Sequence, residues 1–276
     1  MLRRLAYAGA RHGPWFWLRY SPPWFGALFA LLLPVVRRRV RDNLRWVLGR
    51  RGFVAEQRDV VRTFTTYASC LAEALAAGRP GREPELAVHG EEHLERALGM
   101  GRGVVLVTAH TGPWDAVARL LSRRVDAKVL VVMSAEADAA ALSFQDEIRA
   151  RSGVTVLHVG ATPFAGLDGL RHVRGGGVLA FQLDRPAPSG RGVSTQLFGR
   201  AFEVPEGPFR LAALARCPLL PVFVAREGFY KYRAEVLPPL EVGSARDADA
   251  LLAAGQAATR GLEDFIRRHP TQWFHF

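Results

Sequence analysis

Gly103-Val-Val-Leu-Val-Thr-Ala-His110-Thr-Gly-Pro-Trp-Asp115 decides how the rest of the chain is read. Val104 to Val107 form a short unbroken apolar run rich in β-branched residues, the pattern of a strand buried on both faces. His110 falls where that strand runs out. Gly112-Pro113 turns the chain, and Pro113 is suited to the first turn of a helix continuing through Trp114, Asp115, Val117, Leu120 and Leu121. In open α/β sheets the carboxyl ends of the strands are where ligands bind. A neutral imidazole there is a usable general base near neutral pH. A carboxylate on its second ring nitrogen fixes the tautomer and stabilises the imidazolium that forms. Asp115 is five residues on, across one tight turn, so its carboxylate can reach back to His110.

On either side of this stretch, strand-like runs alternate with helical patterns. Leu86–Gly90, Lys128–Met133, Thr155–Val159, Val178–Leu183, Leu219–Val224 and Tyr232–Leu237 read as strands. Ala55–Ala77, Glu91–Leu98, Asp138–Ser152, Pro163–Val173, Phe209–Ala215 and Asp247–Arg268 read as helices. The alternation predicts an α/β fold with a single mixed, largely parallel sheet flanked by helices. Pro221 inside its run predicts an edge or irregular strand, and Pro186 to Gly192 reads as a loop. Gly99-x-Gly101-x-Gly103 precedes its strand, whereas a dinucleotide fingerprint follows one, so that reading is rejected. The expected division is a membrane-associated helical segment over residues 1–52 and an α/β domain over 53–276.

Composition narrows the function classes. The 276 residues are 49% apolar and 23% charged, which is ordinary for a folded chain and excludes disorder. Cys70 and Cys217 lack metal-ligand spacing and read as two buried thiols, and no metal site is expected. The net charge of +11 suits anionic membranes, acidic carrier proteins or phosphorylated substrates, and no motif supports nucleic-acid binding.

The N-terminus concentrates the membrane signal. Trp15, Phe16, Trp17, Tyr20, Trp24 and Phe25 lead into an apolar run from Trp24 to Val36. As a helix of about 13 residues this covers roughly 20 Å, short of the ~30 Å hydrocarbon core, and Pro22-Pro23 is expected to break any extension backwards. A segment lying in the membrane interface is favoured over a single span. Next, Arg37, Arg41 and Arg45 share one helical face while Val40, Leu44, Val47 and Leu48 share another, as in a membrane-surface helix.

His110-Thr-Gly-Pro-Trp-Asp115 resembles the H-x4-D signature of the glycerolipid (lysophospholipid) acyltransferase superfamily. It is most similar to the branch of lipid A biosynthesis acyltransferases and mycobacterial mannoside acyltransferases, in which H-x-G-x-W is followed by an acid. Further resemblances lie in Arg149-Ala-Arg-Ser-Gly153, in Asp184-Arg185 at the end of a strand, in Leu197-Phe-Gly199 followed by Gly207-Pro208, and in the P-x-Q-W of Pro270 to Trp273. The resemblance implies an O-acyltransferase moving a fatty acyl chain from an acyl carrier protein or coenzyme A thioester, a co-substrate rather than a bound cofactor, to a hydroxyl of a lipid or glycolipid. It implies catalytic roles for His110 and Asp115. Substrate-binding roles follow for Arg149, which can face a developing oxyanion, and for Asp184 and Arg185, with orientation of a neighbouring base the alternative for Asp184. It implies work at the cytoplasmic face of the inner membrane. The rival expectation is a non-catalytic lipid-binding protein that keeps the fold.

Overall fold

A computed structural model describes residues 2–114, 128–134, 155–159, 165–185 and 191–276. At its centre is β2 (Val104–Thr108). Val104, Val105, Leu106 and Val107 are all buried, so both faces of the strand are covered, as the sequence requires. Its neighbours are β5 (Val178–Gln182) and β8 (Leu219–Gly228), both parallel to it. Outside β5 lie β3 (Val129–Ser134) and β4 (Thr155–Val159), and outside β8 lie β9 (Lys231–Val236) and β1 (Glu85–His89). The seven-stranded order is β1-β9-β8-β2-β5-β3-β4. Only β8 and β9 pair antiparallel, so the sheet is mixed and largely parallel.

One face of the sheet packs Val105, Val107, Leu179, Leu219 and Phe223 against α7 (Gly207–Ala215) and α8 (Ala248–Arg268). The other face packs Val104, Leu106, Leu220 and Val222 with Leu94 and Ala97 of α5 (Glu91–Gly99). The helix α6 (Ala165–Arg174) leads into β5. Two antiparallel strands, β6 (Gly192–Leu197) and β7 (Arg200–Pro205), form a separate hairpin under α8.

The N-terminal third is helical: α1 (Leu2–His12), α2 (Trp15–Leu32), α3 (Pro34–Leu48) and α4 (Phe53–Leu75). Pro22-Pro23 does not break α2, contrary to the sequence expectation. Leu18, Pro22, Gly26 and Ala30 form a buried stripe at four-residue steps, and α2 lies closely along α4 on that stripe. Packing outweighs the backbone hydrogen bonds that two prolines remove. Gly26 permits the approach, because a Cβ there would sit 2.7 Å from the Phe64 carbonyl oxygen. The helical layer is tied to the sheet by Glu73 of α4, which accepts from Arg226 Nε at 2.9 Å, Arg226 Nη2 at 2.7 Å and the Tyr232 hydroxyl at 2.7 Å.

One further expectation is refined. The strand containing Pro221 is internal rather than an edge, but it is irregular. It pairs with β2 up to Pro221 and with β9 from Val222 on, and its register shifts between Arg226 and Gly228. Proline is tolerated because it sits where the ladder changes partner. The β6–β7 hairpin was not expected. Among the described residues, no helix is long and apolar enough to cross a membrane.

Candidate active site

Sheet register builds the site. The parallel pairing runs from Val104↔Val178 to Thr108↔Gln182, a constant offset of 74 residues. The Leu183 N–H then donates to the Thr108 carbonyl at 2.8 Å, carrying the alignment one step past the ladder. The same offset places His110 beside Asp184 as both chains leave the sheet.

The two side chains meet directly. His110 Nδ1 lies 2.8 Å from Asp184 Oδ1. The His110 backbone N–H also donates to both carboxylate oxygens, at 3.1 and 3.0 Å. The Trp273 indole N–H donates to Oδ2 at 3.1 Å. Asp184 is 1% exposed. Burial by itself pushes its carboxyl upward, but the adjacent His110 and the hydrogen bonds from it outweigh that and hold it below the usual carboxylate range. An ionised carboxylate only accepts, so Nδ1 carries the ring hydrogen and Nε2 keeps its lone pair. That is the tautomer a general base requires. The His110 side chain is 22% exposed, so the ring reaches the surface while its partner does not.

The turn that presents His110 is held tightly. Gly112 has φ +48, and a Cβ there would approach the Val224 carbonyl oxygen to 2.4 Å. The Trp114 ring stands edge-on to the imidazole, with centroids 5.9 Å apart. Trp114 also lines an open cleft of about 520 Å³ on the sheet face, together with Leu106, Thr108, Val131, Phe181 and Gln182. The described lining is mainly apolar, with Thr108 and Gln182 its polar members.

The C-terminal segment supplies what sequence reasoning missed. Trp273 touches Asp184, and His275 stacks on the Trp273 ring at 4.9 Å and 10°. Burial pushes the His275 imidazole below its usual range, against the pull of Asp184. The P-x-Q-W motif was the available signal, but nothing in the local sequence says which carboxylate the tryptophan faces. Arg185 donates to the backbone oxygens of Phe276 and Phe274, at 3.2 and 3.4 Å. Asp115 and Arg149 lie outside the described residues. Both cysteines are buried free thiols, as expected. Among the described residues, no group of three His, Cys, Asp or Glu side chains is arranged to hold a metal ion.

A histidine–aspartate pair at strand ends, beside an apolar cleft in a largely parallel sheet, is an arrangement chemically able to move a proton. Comparison with known proteins gives that arrangement a family. Residues 8–276 match the bacterial lipid A biosynthesis acyltransferases, and the chain belongs to this family. It is similar to the phosphatidylinositol mannoside acyltransferase of Mycobacterium tuberculosis (strain ATCC 25618 / H37Rv), with 28% identity over 195 residues, 70% of this chain and 59% of the relative. The protein of that name from strain CDC 1551 / Oshkosh matches to the same extent. The chain thus spans about three-fifths of the length of the curated relatives it matches.

Proposed function

We propose that the protein is an O-acyltransferase that moves a fatty acyl chain from a thioester, on acyl carrier protein or coenzyme A, to a hydroxyl of a lipid or glycolipid. The observation that carries this reading is the His110–Asp184 pair, with Trp114 both edge-on to the imidazole and in the wall of the apolar cleft. His110 Nε2 takes the proton from the acceptor hydroxyl. The oxygen attacks the thioester carbonyl carbon, giving a tetrahedral oxyanion. The carbon–sulfur bond breaks, and the leaving sulfur takes the proton back from the imidazolium. The products are an ester and a free thiol, and no metal or bound cofactor enters the sequence. Asp184 holds the imidazole in the required tautomer and stabilises its cationic form. By family resemblance, Asp115 supports the same base and Arg149 faces the oxyanion. Mannosylated phosphatidylinositol is a natural first acceptor to test, given the name of the M. tuberculosis relative.

The exposed face of α2 supports action at a membrane surface. Trp24 is 79% exposed, and Phe16, Tyr20, Leu31 and Leu32 are exposed along the same helix. Arg38 and Arg39 of α3, which follows directly, are exposed, whereas Arg37 and Arg45 are held by Gln57 and Glu56 of α4. Aromatic and apolar side chains next to a basic helix suit the headgroup region of an anionic bilayer. Taking the membrane and its side from the family resemblance, we assign a peripheral, monotopic association with the cytoplasmic face of the inner membrane.

The test is thiol release from palmitoyl-CoA in the presence of a bacterial polar lipid extract, with acyl-lipid product followed by mass spectrometry. His110→Ala and Asp115→Ala should each lower turnover, His110→Ala by about 10² to 10⁴. Near-normal turnover in both variants would remove the mechanism. Lipid binding without thiol release by the unmodified protein would favour the non-catalytic reading.

A further inference from the structure

The C-terminal segment from His269 to Phe276 makes more bonds to the catalytic turn than a surface tail needs. The Gly112 N–H donates to the Gln272 carbonyl at 3.0 Å, and the Phe274 N–H donates to the His110 carbonyl at 2.8 Å. Thr111 and Trp273 form an antiparallel bridge between these two bonds. The Gln272 side chain is tied to the Arg226 backbone twice: the Arg226 N–H donates to Oε1 at 2.7 Å, and Nε2 donates to the Arg226 carbonyl at 3.0 Å. Arg185, next to Asp184, donates to two further carbonyls of the segment. Asn43 of α3 donates to the His275 carbonyl. The segment therefore grips the chain on both sides of the His110–Asp184 pair. Its most direct contact is the Trp273 indole N–H on Asp184 Oδ2, at 3.1 Å, with the Trp273 ring 3% exposed.

We infer that Trp273 is a positioning residue: its indole N–H fixes the rotation and the basicity of the Asp184 carboxylate that orients His110. The inference rests on the reading of His110 as general base. The geometry leaves Asp184 little freedom. Oδ1 faces the imidazole, Oδ2 faces the indole, and the His110 backbone N–H spans the two. Without the indole donor the carboxylate can rotate about its own axis, and the imidazole loses its fixed direction. The carboxylate would also hold the imidazolium more strongly, because one of the hydrogen bonds sharing its charge is gone. Among the described residues, the other titratable group acting on Asp184 is His275, stacked on Trp273, and Arg185 in turn acts on His275 while it bonds to the Phe274 and Phe276 oxygens.

The experiment compares the intact protein with Trp273→Phe, Gln272→Ala and His110→Ala. Trp273→Phe keeps an aromatic ring and deletes the N–H. The assay is thiol release from palmitoyl-CoA with the polar lipid extract, read as kcat, KM and the pH profile of kcat/KM, alongside a thermal melt. Trp273→Phe is expected to melt cooperatively, to lose about tenfold in kcat with KM nearly unchanged, and to show its acid limb moved to higher pH. Gln272→Ala, which loosens the segment away from Asp184, should lower the melting temperature and leave the acid limb in place. The inference is overturned if Trp273→Phe keeps the wild-type kcat and acid limb while His110→Ala is inactive. It is also overturned if Gln272→Ala moves the limb equally, or if Trp273→Phe fails to fold, since each result makes the segment a brace and nothing more. An active His110→Ala would instead remove the general-base reading itself.

Discussion

Replacing Asp184 with asparagine changes one atom and one charge, and the hydrogen bonds in place show what that does. The carboxylate accepts from the His110 backbone N–H, from His110 Nδ1 and from Trp273 Nε1. Asparagine offers one oxygen and one NH2. With the NH2 toward His110, Nδ1 must become the acceptor, the hydrogen moves to Nε2, and the base loses its lone pair. With the NH2 toward Trp273, two donors face each other, and a buried N–H left unmet costs about 1–3 kcal/mol. In either orientation the imidazolium loses the Asp184 counter-charge. The expected loss in kcat is about 10² to 10⁴, with at least about 1 kcal/mol of stability lost. The pH dependence of stability has a defined sign. The Asp184 carboxyl is held below its ordinary value, so its contribution is present above the unfolded carboxylate pKa and disappears as pH falls through the folded one. The stability gap between wild type and Asp184→Asn should therefore close on acidification below about pH 4. Thiol-release kinetics and urea unfolding at pH 7 and at acid pH measure both effects. Turnover within about tenfold of wild type, short of the general-base range, with an unchanged pH profile would refute the argument that Asp184 orients the base.

Two other outcomes follow from the helical layer. Glu73→Ala strands the Arg226 guanidinium and the Tyr232 hydroxyl between α4 and the sheet, and should cost about 3 kcal/mol in urea unfolding, the low end for a broken buried pair because Arg226 keeps some solvent. Trp24→Ser with Leu31→Ser removes two exposed apolar anchors from α2 and should weaken co-sedimentation with phosphatidylglycerol vesicles by at least about tenfold, since each buried side chain of this size contributes about 1.5–3 kcal/mol; unchanged sedimentation would take α2 out of the membrane contact.

The sequence was most legible where one physical signal dominated. The four consecutive buried valine and leucine positions of β2 fixed the sheet centre, and His110 and Asp184 were both placed at carboxyl ends of strands from the lengths of their runs. Their contact was not legible, because it depends on which strands are neighbours, and β5 is separated from β2 by two other strands in sequence. The β6–β7 hairpin was obscured by Thr195, a polar residue in an inward position. Its hydroxyl is satisfied by donating to the Phe202 carbonyl at 2.7 Å, so the alternation is real in burial but broken in hydropathy. The continuity of α2 was hidden for a different reason. Pro22-Pro23 is a local stop signal, and only the partner helix across Gly26 explains why the helix continues.

A histidine and a carboxylate aligned through five backbone rungs have an evolutionary consequence. The alignment is carried by main-chain amides, which substitution by any residue except proline leaves in place. Residues on the cleft face of those strands, such as Ala180 and Gln182, can therefore change size or polarity while the proton-transfer pair stays in place. Within this scaffold, the shape of the apolar cleft can drift independently of the histidine–aspartate geometry.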